Sequence, residues 1–157
     1  MDKNKKVLIV GNSAKDYALV KKFKNYDCEV VVLPGNTAIS ELVECVDIRE
    51  ENTQEILEYV LENAIDLTIV TSEKAIKSNI AELFQANSQL IFCPTAQSAQ
   101  FALSRSAGKR FLYKQRIATP RFGIFDKLPL AIDYLKTAPM PQVIRADENS
   151  NLADRLV

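Results

Sequence analysis

The first hundred residues alternate short apolar runs with longer segments of helical period, and this alternation constrains the fold more than any other feature. Each apolar run ends at a glycine, a proline or a polar residue, whereas the helical segments repeat apolar residues every three or four positions. Such alternation predicts a mostly parallel sheet with helices on both faces. The predicted strands are 7–10, 28–34, 43–48, 66–70 and 89–94, and the predicted helices are 14–26, 52–64 and 72–86.

The pattern changes after Pro94. Short helices are predicted over 95–103 and 104–117, followed by a strand at 121–125, a helix at 128–137 and a strand at 141–147. We therefore predict an α/β domain over residues 1–100 and an incomplete α+β segment over residues 101–157. A segment this small cannot bury enough apolar surface to form a core of its own. It is therefore expected to pack on the first domain, on another chain or on further sequence.

Composition excludes several classes of function. The chain has 20 Lys and Arg against 20 Asp and Glu, so no general attraction to nucleic acid or to an anionic membrane is expected. No apolar stretch reaches the length of a membrane span. Three distant cysteines favour reduced thiols in a cytoplasmic protein. The chain has no histidine, which excludes Ser–His and Cys–His nucleophile pairs and histidine-ligated metals from this chain alone.

The stretch VLIVGNSAKDYAL, residues 7–19, is typical of a strand, a tight turn and a helix. Such turns present backbone N–H groups of the helix start to a phosphate, although they usually carry two or three glycines and this one has only Gly11. Two interpretations stay open, an anion-binding loop and a purely structural turn. The helix at 104–117 is similarly ambiguous, because its basic residues fit either a solvated face or a contact to nucleotide phosphate or an acidic partner.

Six motifs in register carry a resemblance to a known family. After VLIVGNSAKDYAL come LPGNTA at 33–38, a VDI…IDLTIVTSE block ending at 73, LIFCPTAQSAQFALSRS at 90–106, RIATPRF at 116–122 and PQVIRAD at 141–147. Their order and spacing resemble the phosphoribosylamine–glycine ligase family, whose members are ATP-grasp enzymes of purine biosynthesis. The resemblance implies a Rossmann-like pre-ATP-grasp domain followed by the entry to an ATP-grasp domain.

The resemblance also implies site residues. The substrate-binding residues, which would contact a small-molecule sugar phosphate, are expected to be Gly11, Asn12, Ser13, Ala14, Gly35, Asn36, Ser72 and Glu73. Glu73 is open to a second interpretation, as a cap of the following helix. Arg105 and Arg145 stand where the family has lysines that reach the phosphates of ATP. ATP and Mg²⁺ are the cofactors of the intact family.

The sequence departs from the family pattern at several of these positions. Ser13 and Ala14 replace a glycine pair, and a Cβ there is expected to cause strain if either residue needs a positive φ. The segment ENSNLADRLV, 148–157, replaces a glycine-rich phosphate loop. In the family, the magnesium-binding carboxylates lie in a part that this chain lacks, so no activity is expected from it alone. We therefore expect either the N-terminal part of a ligase, completed by an ATP-grasp half or by self-association, or a diverged non-catalytic binding or interaction module.

Overall fold

The computed structural model describes residues 5–147, and its centre is a five-stranded, all-parallel sheet in the order β3-β2-β1-β4-β5. The predicted α/β fold is confirmed. The strands are β1 (Lys5–Gly11), β2 (Cys28–Pro34), β3 (Glu44–Cys45), β4 (Leu67–Val70) and β5 (Ile91–Phe92).

Strand β1 is central because its side chains are apolar on both faces. Val7 and Ile9 pack on one face with Val20 and Ile39, which come from two of the helices. Leu8 and Val10 alternate to the other face and are fully buried. A strand without a polar face requires cover on both sides, which is how a doubly covered parallel sheet forms.

The connections between the strands are helical. Asn36, Asn52, Ser72 and Ser104 cap the starts of four helices with side-chain oxygens. The helices are α1 (Ala14–Phe23), α2 (Thr37–Ser40), α3 (Thr53–Glu62), α4 (Glu73–Lys77), α5 (Ile80–Ala86), α6 (Ala96–Leu103), α7 (Arg105–Lys114) and α8 (Leu128–Thr137). None of them, within residues 5–147, is long and apolar enough to cross a membrane.

The chain forms two compact units that divide between Ser98 and Ala99. The first unit contains the sheet. In the second, α7 and α8 bury none of their residues among the part of the chain that the structure describes. The predicted domain boundary near residue 100 stays a prediction.

Four elements differ from the sequence prediction. The strands predicted at 121–125 and 141–147 are wrong, since neither pairs with any described strand and a β pattern without a ladder partner stays irregular. The helix predicted over 72–86 is two helices, because Asn79 adopts the left-handed conformation at φ 59° and interrupts the turn. Helix α2 was not predicted.

The turn after β2 requires a glycine. Gly35 has φ +70°, and a Cβ there would collide with Sγ of Cys45. We expect Gly35→Ala to lower the free energy of unfolding by more than about 1 kcal/mol, measured by urea denaturation. Cys45→Ala in the same background should recover only the steric part of this loss. If Cys45→Ala restored the full free energy of unfolding, or if Gly35→Ala lost none, the positive φ of residue 35 would not be the reason that a glycine is required.

Candidate functional site

The carboxyl ends of the parallel strands all meet at one edge of the sheet, and most of the predicted substrate-binding residues lie there. The strand order reverses between β1 and β4, so the loops after these two strands flank the topological switch point. In open α/β sheets, ligands bind in the crevice at that position.

The loop after β1 accommodates its non-glycine residues without strain. Ser13 is the N-cap of α1 with φ −104° and ψ 176°, an extended conformation, and Ala14 is the first helical residue. The strain expected at these two positions is therefore absent. Gly11 does need to be glycine, because a Cβ would lie 2.6 Å from the carboxylate of Asp16 and would also collide with Thr71.

Asp16 is a fully buried carboxylate at the centre of this loop. Its Oδ2 accepts hydrogen bonds from the N–H and the hydroxyl of Ser13, each at 2.7 Å. Its Oδ1 accepts a hydrogen bond from the hydroxyl of Thr71, the first residue after β4. The ammonium group of Lys15 also donates to the carbonyl of Thr71, at 2.9 Å. The first turn of α1 is thus attached to the end of β4.

The predicted turn at Gly35 and Asn36 lies against the β1 loop. The N–H of Gly35 donates to the carbonyl of Gly11 at 3.2 Å, and Nδ2 of Asn36 donates to the carbonyl of Asn12 at 2.8 Å. Oδ1 of Asn36 accepts from the N–H of Ile39 and caps α2. The structure therefore brings these two predicted turns together.

The third predicted pair follows β4 at the same edge. Ser72 is buried, donates its N–H to the carbonyl of Val10, and caps α4 by accepting from the N–H of Ala75 at 3.4 Å. Ser72, rather than Glu73, is the N-cap, and Glu73 is the first residue of the helix. A ligand-binding role for either residue stays a prediction.

An open depression of about 640 Å³ lies beside the loop. Lys74 crosses its rim, with Nζ 3.0 Å from a carboxylate oxygen of Glu51 and 3.8 Å from one of Glu50, whose side chain is only 8% exposed. The hydrogen bond from Lys74 lowers the pKa of Glu51, and the same bond raises the pKa of Lys74. The depression is lined by Asn12, Pro34, Asp47, Ile48, Arg49, Glu50, Glu51 and Lys74.

The two predicted cofactor-binding arginines belong to the second unit. Arg105 begins α7, and its N–H donates to the carbonyl of Asp147, two residues after Arg145. The carboxylate of Asp147 accepts from the N–H of Ser106 at 2.5 Å and from its hydroxyl at 2.9 Å, and these bonds lower the pKa of Asp147. A carboxylate therefore already occupies the start of this helix, where a nucleotide phosphate would have to displace it.

Residues 5–147 bring together no group of three or more acidic or cysteine side chains able to hold a metal ion. The part of the chain that the structure describes thus offers no ready-made cluster of side-chain ligands for Mg²⁺. The segment 148–157, which stands where the family has its glycine-rich phosphate loop, lies outside the described residues.

Sequence reasoning missed the buried carboxylate and the depression. Asp16 stands three residues after Ser13, the spacing of a capping box, and that signal was available. No sequence motif marks the residues from Asp47 to Glu51 or Lys74 as part of one site. These two parts of the chain are distant in sequence and come together only when the chain folds.

The fold and the site define a Rossmann-like α/β domain whose candidate ligand edge is formed by the loops after β1, β2 and β4. Residues 5–102 match the family model described as phosphoribosylglycinamide synthetase, N domain. The chain belongs to this family, and the resemblance read from its motifs is confirmed.

Similar proteins agree with this assignment. The chain is 35% identical over 144 residues to the phosphoribosylamine–glycine ligase of Caldanaerobacter subterraneus subsp. tengcongensis, covering 90% of this chain and 34% of that protein. It is also 34% identical over 146 residues to the phosphoribosylamine–glycine ligase of Escherichia coli K12. That match covers 90% of this chain and 34% of the length of the E. coli protein. The chain therefore spans about a third of the length of the curated relatives it matches.

Solved structures show the same fold. Phosphoribosylamine–glycine ligase from Thermotoga maritima superposes with a TM-score of 0.67 at 22% identity, over 91% of this chain and 33% of that one. N5-carboxyaminoimidazole synthetase from Staphylococcus aureus, solved with ADP, superposes with a TM-score of 0.74 at 13% identity. The superposition covers 99% of this chain and 41% of that one. A similar biotin carboxylase domain was solved with ADP, its magnesium salt and bicarbonate.

The ion pair between Lys74 and Glu51, at the rim of the depression, predicts that the stability of the fold depends on pH. Because the pKa of Glu51 is lowered below its ordinary value of 4.5, the pair stabilises the fold above that pH, and its contribution is lost as the pH falls through the lowered pKa. We expect Glu51→Gln to lower the melting temperature at pH 6, and we expect this difference from the wild type to disappear as the pH falls below the lowered pKa of Glu51. Glu62→Gln, at the exposed end of α3, is the control; an equal effect of both substitutions would contradict the pairing.

Proposed function

We propose that this chain is the N-terminal part of a phosphoribosylamine–glycine ligase-like protein of purine biosynthesis and supplies the sugar-phosphate side of its site. Membership of the N-domain family supports this proposal. The observation that carries it is the geometry at the start of α1, where the loop after β1 exposes helix N–H groups at the switch point of the sheet.

The phosphate would bind the N–H groups of Ala14 and Lys15. These are the first two residues of α1, so their N–H groups precede the intrahelical ladder, and none of the hydrogen bonds of the described residues uses them. The helix start favours an anion, and Lys15 adds a positive charge beside it. The N–H of Ser13 is not available, since Asp16 accepts from it.

The sugar would extend from this point toward the depression. Asn12 belongs both to the loop and to the lining of the depression. Its amide can donate to or accept from hydroxyl groups, and the carboxylates of Asp47 and Glu51 can accept from them. The depression thus suits the uncharged part of a sugar phosphate, whereas the helix start suits its phosphate.

In the complete ligase, ATP would phosphorylate the carboxylate of glycine, and the amine of phosphoribosylamine would then attack the acyl phosphate. Within this chain, the residues proposed above bind and orient the sugar phosphate only. Binding of ATP and Mg²⁺ would require the ATP-grasp part found in the complete family, supplied by the remaining length of a ligase or by another chain. We place the protein in the cytoplasm, and we expect no activity from this chain alone.

Proline at residue 14 tests the phosphate contact directly. Ala14→Pro removes one of the two proposed donors, and the first helical position tolerates proline when the preceding residue is extended, as Ser13 is. In wild type, ribose 5-phosphate and glycinamide ribonucleotide should each raise the melting temperature as their concentrations exceed the dissociation constant. We expect Ala14→Pro to lose most of this shift.

Ala14→Gly is the matched control, because it retains the N–H group and should retain the shift. An equal ligand-induced shift in the proline variant would place the phosphate elsewhere. Absence of any shift in the wild type would contradict the proposed function.

The second candidate is a non-catalytic binding or interaction module. The observation that favours it is the apolar surface of α8, where Leu128 is 73% exposed and Leu130 is 53% exposed. Such a surface fits self-association or a protein partner. Absence of a ligand-induced shift, combined with a sedimentation mass well above 17.6 kDa that rises with concentration, would favour this candidate.

A further inference from the structure

Two side chains that are 55 positions apart in the sequence join the loops on either side of the switch point. The hydroxyl of Thr71, after β4, donates to Oδ1 of Asp16, in the first turn of α1. The other oxygen of this carboxylate holds both the N–H and the hydroxyl of Ser13. We call the Asp16–Thr71 pair the latch.

The latch determines the path of the loop between β1 and α1. Gly11 packs so closely against both members that no Cβ fits between them. The carboxylate is fully buried and has three donors, so breaking the latch would leave a buried charge partly unpaired. Lys15 is drawn toward the same place by its bond to the carbonyl of Thr71.

The same carboxylate has two opposite effects on a phosphate at the helix start. It repels the phosphate as a like charge. It also bonds Ser13, the N-cap of α1, and so positions the start of the helix to which the N–H groups of Ala14 and Lys15 belong. Removing the charge would therefore strengthen phosphate binding if repulsion dominates, and would weaken it if positioning dominates.

We propose that positioning dominates and that Asp16, held by Thr71, is a positioning residue that keeps the loop in its phosphate-receptive form. Ser13 and Ala14 stand where the family pattern has glycines, and the polar bonds of Asp16 and Lys15 to Thr71 attach this loop to the end of β4. This inference rests on the proposed function for its ligand, but the geometry of the latch can be tested without one.

Thr71→Val is the first variant, because valine has nearly the same shape and only the hydroxyl is lost. We expect amide hydrogen exchange to accelerate at Ser13 and Asp16, whose N–H groups are bonded within this loop, although both are distant from residue 71 in sequence. Val20→Ala, in the buried face of α1, serves as a control of comparable stability loss. Unchanged exchange at Ser13 and Asp16 in Thr71→Val, or equal acceleration in Val20→Ala, would overturn the latch whether or not a ligand binds.

Calorimetric titration with ribose 5-phosphate is the second measurement, made well below each variant's melting temperature. We expect Thr71→Val and Asp16→Asn each to weaken binding about five- to tenfold, the scale of one hydrogen bond. Thr71→Val should add less than twofold in an Asp16→Ala background, because Asp16→Ala has already removed the carboxylate that accepts from the Thr71 hydroxyl. Val20→Ala should bind within twofold of wild type.

The outcomes separate the two proposals. Equal or tighter binding by Asp16→Asn, or by Thr71→Val where Asp16→Asn does not fold, would overturn the positioning role. Additive losses would overturn the latch as the common cause. If wild type binds neither ribose 5-phosphate nor glycinamide ribonucleotide, the proposed function fails and the positioning role fails with it, while the exchange measurement still decides whether the latch exists.

Discussion

The first unit depends on the pairing of β1 with a parallel strand on each side. Its residues Val7 to Val10 are apolar on both faces, so burial forces the strand to the centre of the sheet, between β2 and β4. That position brings the loops after β2 and β4 to the end of β1. The candidate site is therefore a consequence of where β1 has to lie.

Polar bonds define the site at this edge together with two required glycines, Gly11 and Gly35. Gly11 is needed because two side chains pack against it, whereas Ser13 and Ala14 adopt ordinary conformations. Asn36 joins the second turn to the first, and Ser72 joins the third to Val10. Two N–H groups at the start of α1 stay available to a ligand. This arrangement explains how a domain can lose the glycines of a phosphate loop and keep its form.

The sequence predicted the sheet well, because an apolar run such as Cys28–Pro34 carries its own signal and ends at a proline. It failed where an element depends on distant residues. The β patterns at 121–125 and 141–147 found no ladder partner, and Asn79 divided a helix whose apolar period is continuous. In the site, motifs located the three turns, but the burial of Asp16 and its bond to Thr71 required the register of β1 against β4.

The most direct test of a sugar-phosphate site at the start of α1 is a titration of ¹⁵N-labelled protein with ribose 5-phosphate, followed by amide chemical shifts. The account predicts that the largest shift changes fall on the amides of Ala14 and Lys15, with smaller changes at Asn12 and along the rim at Glu51. Saturable changes confined to the second unit, or no saturable change at any amide, would contradict it.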